Sequence, residues 1–281
     1  MLGQHPALYG FPEVNLFVSE TLGDLWERMG GARQIQLHGL LRLVAHLYAG
    51  EQTMASLEMA KRWVACRFDE TTLAVYKELT AKIAPLGPVD KSPIYADSPA
   101  YLAHIAKAFP RARYLHLLRH PRSQGMSMMK IANGAMVLFS RSLDHDVQPP
   151  LLDPQFAWLR VQQNILDFLQ SIPPARWRRI RGEDLLASPA EELRKLGEWL
   201  GLSQDEDAIE RMLHPEDSPF ACLGPCGAHL GNDINFLRSP VLRPHPLKPQ
   251  TLRGPLPWRP DGGGFKTEVV ELALTLGYES A

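Results

Sequence analysis

What this 281-residue chain has little of narrows it first. It holds three cysteines, Cys66, Cys222 and Cys226. An odd count in a long chain argues against a disulfide scaffold and for a reducing compartment, so a cytoplasmic location is expected. No apolar run approaches the roughly 20 residues needed to cross a bilayer. The N-terminal stretch also lacks the basic-then-apolar pattern of a secretory signal, and no membrane partner is expected. The formal net charge is -1, which supplies no general attraction for nucleic acid, so a basic site has to be local. There is no G-x-x-x-x-G-K-S/T phosphate loop, no G-x-S-x-G elbow, no H-E-x-x-H pair and no internal repeat. The Cys222, Cys226 and His229 group lacks a convincing fourth ligand and lies in a loop rich in glycine and proline, so no metal is expected.

What is present is organised around residues 114–129, YLHLLRHPRSQGMSMM. Residues 114–118 form a short apolar run that reads as a buried strand of a parallel sheet. Pro121 suits the first position of a helix, where its missing N–H costs nothing, and the pattern continues through Met126, Met128, Met129 and Ile131. Arg119 then stands at the carboxyl end of a strand, where open α/β sheets bind ligands. Arg119, Arg122, Ser123 and Ser127 together can hold an anion by guanidinium forks, hydroxyls and helix N–H groups.

R-H-P-R at 119–122, with Ser127 eight residues after the first arginine, resembles the nucleotide 3′-phosphate motif of the PAPS-dependent sulfotransferases. The resemblance implies that Arg119 and Ser127, with Arg122 beside them, bind the nucleotide. Asp90-Lys91-Ser92-Pro93 resembles the family's K-S/T/D-P segment, whose lysine supports the transferring group; Lys91 would stabilise the negative oxygens as the bond loosens, with Asp90 orienting it. Met1-Leu2-Gly3-Gln4-His5-Pro6 is similar to the M-L-x-x-H-P of tyrosylprotein sulfotransferases, which is followed at this spacing by a Glu that acts as base. Glu13 holds that position, and a neutral hydroxyl needs such a base before it can attack. Residues 182–186 and the W-L-G-L at 199–202 follow the family pattern, except that Gly182 stands where a tyrosine usually contacts adenine. Residues 231–236, GNDINF, resemble a bacterial G-N/D-D-P-x-F segment near nucleotide or acceptor.

The implied fold is α/β in three layers, with a central parallel sheet of the P-loop nucleotide-hydrolase-like sulfotransferase type. Residues 1–281 are expected to form a single domain. Its helical insertion, at about 35–84, resembles the bacterial and polyketide-synthase-associated members, and residues 240–264 form an irregular C-terminal segment whose basic residues include Lys248. Further expectations are a helix starting at Pro12-Glu13, a weak strand at Val89, and a crossover joining that strand to 114–118 through a helix over Tyr101 to Phe109. A mobile loop is expected at 144–154, a helix at 156–169, a helix capped by Ser188, and a terminal helix at 267–276.

The implied reaction moves a sulfuryl group from PAPS, leaving PAP, to a hydroxyl of a small-molecule or carrier-bound acceptor. The family's N-terminal strand and 5′-phosphosulfate loop would lie just before Met1. A start assigned too far downstream, or a truncation, is therefore expected, with weak PAP binding and little turnover for these 281 residues. The alternative is a non-catalytic nucleotide- or partner-binding member of the same fold.

Overall fold

The computed structural model describes residues 1–131, 137, 140–246 and 250–279, so Lys248 lies outside the described residues. It divides into two units. Unit one comprises Met1–Tyr95, Ala100–Pro110 and Ser188–Pro244; unit two comprises Ala96–Pro99, Arg111–Ala187 and His245–Ala281.

In unit one, β1 (Leu8–Gly10) pairs in parallel with β2 (Gly87–Val89), Leu8 opposite Gly87 and Gly10 opposite Val89. Between them lie α1 (Leu22–Arg28), α2 (His38–Ala49), α3 (Met54–Ala65) and α4 (Thr72–Lys82), which places helices across the 35–84 stretch. Their ends follow local chemistry: Thr53 and Thr71 accept N–H bonds at the N-caps of α3 and α4, and Gly50 closes α2 at φ 75°. Phe17 anchors an aromatic core, its ring 5.3 Å from Tyr76 and 5.2 Å from Phe109.

No helix starts at Pro12-Glu13. Asn15 adopts a left-handed conformation at φ 54°, which breaks any helical run, and α1 begins only at Leu22, capped by Thr21. α9 (Pro189–Leu200) does follow Ser188, but the serine side chain makes no cap bond.

In unit two, β3 (Tyr114–Leu118) pairs in parallel with β6 (Trp177–Arg181), Tyr114 opposite Trp177 and Leu118 opposite Arg181. β3 leads into α6 (Pro121–Lys130), and the long α7 (Gln155–Gln170), α8 (Gly182–Ala187) and the terminal α12 (Thr267–Thr275) complete the frame. Leu118, Trp158, Leu252, Val269, Ala273, Leu276 and Tyr278 form its buried core. The class is α/β with parallel pairing, as the sequence implies. Each strand pairs within its own unit, so the expected crossover does not make β2 and β3 ladder partners. The helix expected between them is present as α5 (Pro99–Ala108), but a helix between two strands says nothing about their hydrogen-bond partners.

The expected loop at 144–154 carries a hairpin instead, β4 (Leu143–Asp144) against β5 (Leu151–Leu152). Asp144 and Asp153 are 1% and 0% exposed, each 2.6 Å from Arg259 Nη1. A partner more than a hundred residues downstream cannot be seen in local composition. Two further helices, α10 (Glu206–Leu213) and α11 (Ile234–Arg238), belong to unit one. Among the described residues no helix is long and apolar enough to cross a membrane.

Three buried histidines make stability depend on pH. Burial lowers the pKa of His38, His116 and His120 to about 4, so each stays neutral when folded but takes a proton below about 6.5 when unfolded. Their stabilisation is present above 6.5 and is lost as pH falls from there toward 4. Each costs up to about 2 kcal/mol at pH 5 relative to pH 7. Asp90 works in the opposite sense: burial raises it to about 6, so acidification through that range favours the fold. Three groups outweigh one, and the urea midpoint should fall between pH 7 and pH 5; an unchanged midpoint would contradict this assignment.

Candidate active site

The parallel register of β1 and β2 brings two charged side chains together in unit one. Gly10 lies opposite Val89, so the chains leave the same strand end and Glu13 and Lys91 follow within three residues. Lys91 Nζ donates to a Glu13 carboxylate oxygen. The lysine is half exposed, at 53%, and the glutamate less so, at 21%, so the pair is reached by solvent mainly at the lysine.

Glu13 is held by its backbone. Its N–H donates to Gly231 O at 2.8 Å, and the same peptide lies against α2 where Gly39 has no side chain. A Cβ on Gly39 would stand 2.1 Å from Glu13 O, and Gly231 itself needs φ 108° with its own Cβ direction blocked by Gly39. Gly39→Ala should therefore push the Glu13 peptide away and cost about 1–3 kcal/mol of stability. The check is a urea melt together with the turnover of the variant.

Asp90 does not reach for Lys91. Its carboxylate accepts from Ser92 Oγ at 2.7 Å and Tyr95 Oη at 3.2 Å, and Ser92 Oγ in turn accepts the Asn15 N–H at 3.2 Å. Asp90 thus fixes the turn that follows β2, while Glu13 orients the lysine.

In unit two the end of β3 is secured on three sides. Trp158 Nε1 donates to Arg119 O at 3.0 Å, the His120 N–H donates to Glu183 Oε1 at 2.8 Å, and Gly182 abuts Leu118 O, where a Cβ would stand at 3.3 Å. His120 caps α6 by accepting the Arg122 N–H on Nδ1 at 3.1 Å, and its ring stands edge-on to Tyr278 with centroids 4.9 Å apart. Arg119 projects from this braced strand end as an exposed residue, and Ser127 is half-buried on α6. Among the described residues, neither the Arg119 guanidinium nor the Ser127 hydroxyl has a hydrogen-bond partner. A guanidinium at a strand end and a hydroxyl on the helix that follows, both without a partner among the described residues, fit an anionic ligand.

Arg122 and Ser123 are occupied differently from the expectation of anion ligands. Arg122 donates to Thr251 O, Pro255 O and Arg253 O at 2.9, 2.9 and 2.7 Å, and Ser123 Oγ donates to His120 O at 3.1 Å. Arg122 thereby ties the C-terminal segment to α6. Trp258 strengthens the tie by packing on Gly125, where a Cβ would be 2.5 Å from the indole ring. The Gly262–Gly264 run is a turn closed on Arg259, with Gly263 O accepting the Leu256 N–H at 2.9 Å.

Sequence reasoning missed Gly39, Trp158, Glu183 and Arg259. Each acts on a residue far along the chain, and only Glu183 lay in a segment that a motif had marked. Gly231 was singled out, but as part of a motif and not as the acceptor for the Glu13 amide. The three cysteines are unpaired and exposed, and among the described residues no cluster of His, Cys, Asp and Glu could hold a metal ion.

A profile of the sulfotransferase family matches residues 1–207. The sulfotransferase domain from the curacin biosynthetic pathway superposes with a TM-score of 0.76 at 26% identity, covering 100% of this chain and 92% of that one. The sulfotransferase domain from the Synechococcus PCC 7002 olefin synthase gives 0.73 at 23% identity, covering 99% of this chain and 88% of that domain. Among curated protein sequences no match to this chain is found.

Proposed function

This chain belongs to the sulfotransferase family, and from that premise we propose that it moves a sulfuryl group from PAPS to a hydroxyl of a small-molecule or carrier-bound acceptor. The observation that carries the reading is the Lys91–Glu13 pair at the shared end of β1 and β2. PAPS supplies the sulfuryl group and a phosphate leaving group. The acceptor oxygen forms a bond to sulfur as the sulfur–oxygen bond to that phosphate breaks, and the hydroxyl proton passes to the Glu13 carboxylate. Once protonated, Glu13 no longer neutralises Lys91. The ammonium charge is then available to the oxygens where negative charge collects, so the interaction strengthens as the transition state forms.

Arg119 and Ser127 hold the nucleotide 3′-phosphate in this reading, and Arg122 serves as a positioning residue that keeps the C-terminal segment on α6. The two units are read as parts of one sulfotransferase domain. A guanidinium–phosphate contact is a charge-assisted hydrogen bond, worth about 1.5–3 kcal/mol. Arg119→Ala should therefore weaken PAP binding by about 10- to 100-fold in titration calorimetry, while Arg122→Lys should bind PAP nearly as well and lower the melting temperature. Unchanged PAP affinity in Arg119→Ala would remove the nucleotide assignment. PAP binding without sulfuryl transfer to any of a panel of hydroxylated acyl chains, phenols and sugars would favour a non-catalytic nucleotide-binding member.

A further inference from the structure

Arg42, on α2, is the most deeply buried charged side chain of unit one, at 0% exposure. Its Nε lies 2.6 Å from Gln52 Oε1, its Nη1 2.9 Å from Leu230 O and its Nη2 3.6 Å from Cys222 Sγ; the Phe220 ring centroid is 5.9 Å from its Cζ. Among the described residues it forms no ion pair with a carboxylate. A buried cation with only neutral partners is costly, and an apolar side chain of similar length would avoid that cost. The guanidinium must be retained for the donors it supplies.

Those donors hold one loop. Gln52, which accepts from Arg42, also donates to Pro219 O at 2.7 Å, so both ends of the segment from Pro219 to Leu230 are tied through the same pair. One turn earlier on α2, His38 Nδ1 accepts the Leu230 N–H at 3.3 Å. Leu230 is thus fixed through both its N–H and its C=O. The next residue, Gly231, presents the carbonyl that receives the Glu13 N–H and packs on Gly39. Arg42, Leu230, Gly231 and Glu13 form one continuous chain of contacts.

We propose that Arg42 is a positioning residue for Glu13, acting by pinning the Leu230–Gly231 peptide on which the Glu13 backbone rests. The proposal rests on the reading of Glu13 as base for its kinetic consequence but not for its structural one. An ångström of misplacement at a reacting group costs on the order of 100-fold.

The test is Arg42→Met, compared with Arg42→Lys and Glu13→Gln, in the protein that carries this chain. Hydrogen exchange read by mass spectrometry should show the Glu13 and Gly231 peptides exchanging at least about tenfold faster in Arg42→Met, with the helices of both units unchanged. With PAPS and a responsive acceptor, kcat should drop about 10- to 100-fold while the KM for PAPS stays within about twofold. Arg42→Lys, which keeps the charge but only one set of donors, should recover part of both effects. Unchanged exchange at Glu13 would overturn the proposal, and so would global loss of protection, which marks a purely structural arginine. Unchanged kcat in Arg42→Met alongside an inactive Glu13→Gln would also overturn it. Full activity in Glu13→Gln would instead sink the assignment of the base, leaving the exchange result to decide the role of Arg42.

Discussion

Glu13→Gln should lower kcat by about 10²- to 10⁴-fold in the protein that carries this chain, with little change in PAP affinity. The amide keeps the size of the side chain and can still accept from Lys91 Nζ, so the local packing should survive. What it loses is the ability to take a proton. Lys91→Ala removes the charge that strengthens as the leaving phosphate forms and should cost about 10²-fold or more in kcat. The two effects should not add. In the double variant the loss should be close to that of the worse single change, because both residues act in one step. Full additivity would mean that the ion pair is a surface contact with no shared role, since an exposed pair alone contributes only about 0–1 kcal/mol.

Arg259→Met should be the most destabilising single change in unit two. The Arg259 side chain is 5% exposed and its Nη1 serves both Asp144 and Asp153, while Nε and Nη2 bind Asp261. Among the described residues, removing the guanidinium leaves buried Asp153 with neutral donors only and buried Asp144 with Lys266 Nζ, at 3.6 Å, as its remaining cation; about 3–5 kcal/mol is the usual cost of breaking such a buried pair. Trp158 and Trp258 report on the same unit, so fluorescence-monitored urea unfolding can read the loss. Asp261, held down to about 2 chiefly by its bonds to Arg259, should return toward the ordinary carboxylate range in the variant. Arg259→Met combined with Asp144→Asn and Asp153→Asn should recover much of the stability. A drop of less than about 1 kcal/mol in the single variant would show that water reaches the carboxylates and that the clamp is open.

The contrast between β3 and β1 shows what could be read from the sequence. β3 and α6 were legible almost to the residue, because Tyr114 to Leu118 is long enough to show an apolar run and Pro121 marks the helix start. β1 was invisible: three residues ending in Gly10 carry no periodicity, and the strand exists because Val89 and its neighbours pair with it. The helical stretch after Ile35 was legible from spacing. The turn before it was not, since Asn15 adopts its left-handed conformation in a setting made by Ser92 and Gln36, to which it is hydrogen-bonded.

The site divides in the same way. Glu13, Lys91, Arg119 and Ser127 were nameable from short motifs; the structure sets Lys91 against Glu13 and gives the Arg119 and Ser127 side chains no partner among the described residues. Of the residues that hold them, Glu183 and Gly231 lie in motif segments that give no hint of this task, and Gly39 and Trp158 have no local signature. Arg122 shows the limit of motif reading: its place in R-H-P-R suggests a ligand, while three carbonyls of a distant segment take up its donors.

The shortness of β1 and β2 also sets where this gene can tolerate changes in length. Two residues separate Gly10 from Glu13 and one separates Val89 from Lys91, so each spacer acts as a ruler. One inserted residue would shift a charge by about 3.3 Å, the rise of a strand residue, and would turn its side chain to the opposite face. The connection between α1 and α2, exposed from Gly30 to Ile35 with open space around Gly31, carries no such ruler, and an insertion there would leave the strand register intact. Among descendants of this sequence, added and lost residues should therefore collect in that connection and stay out of the two spacers, even where the amino acids themselves have drifted.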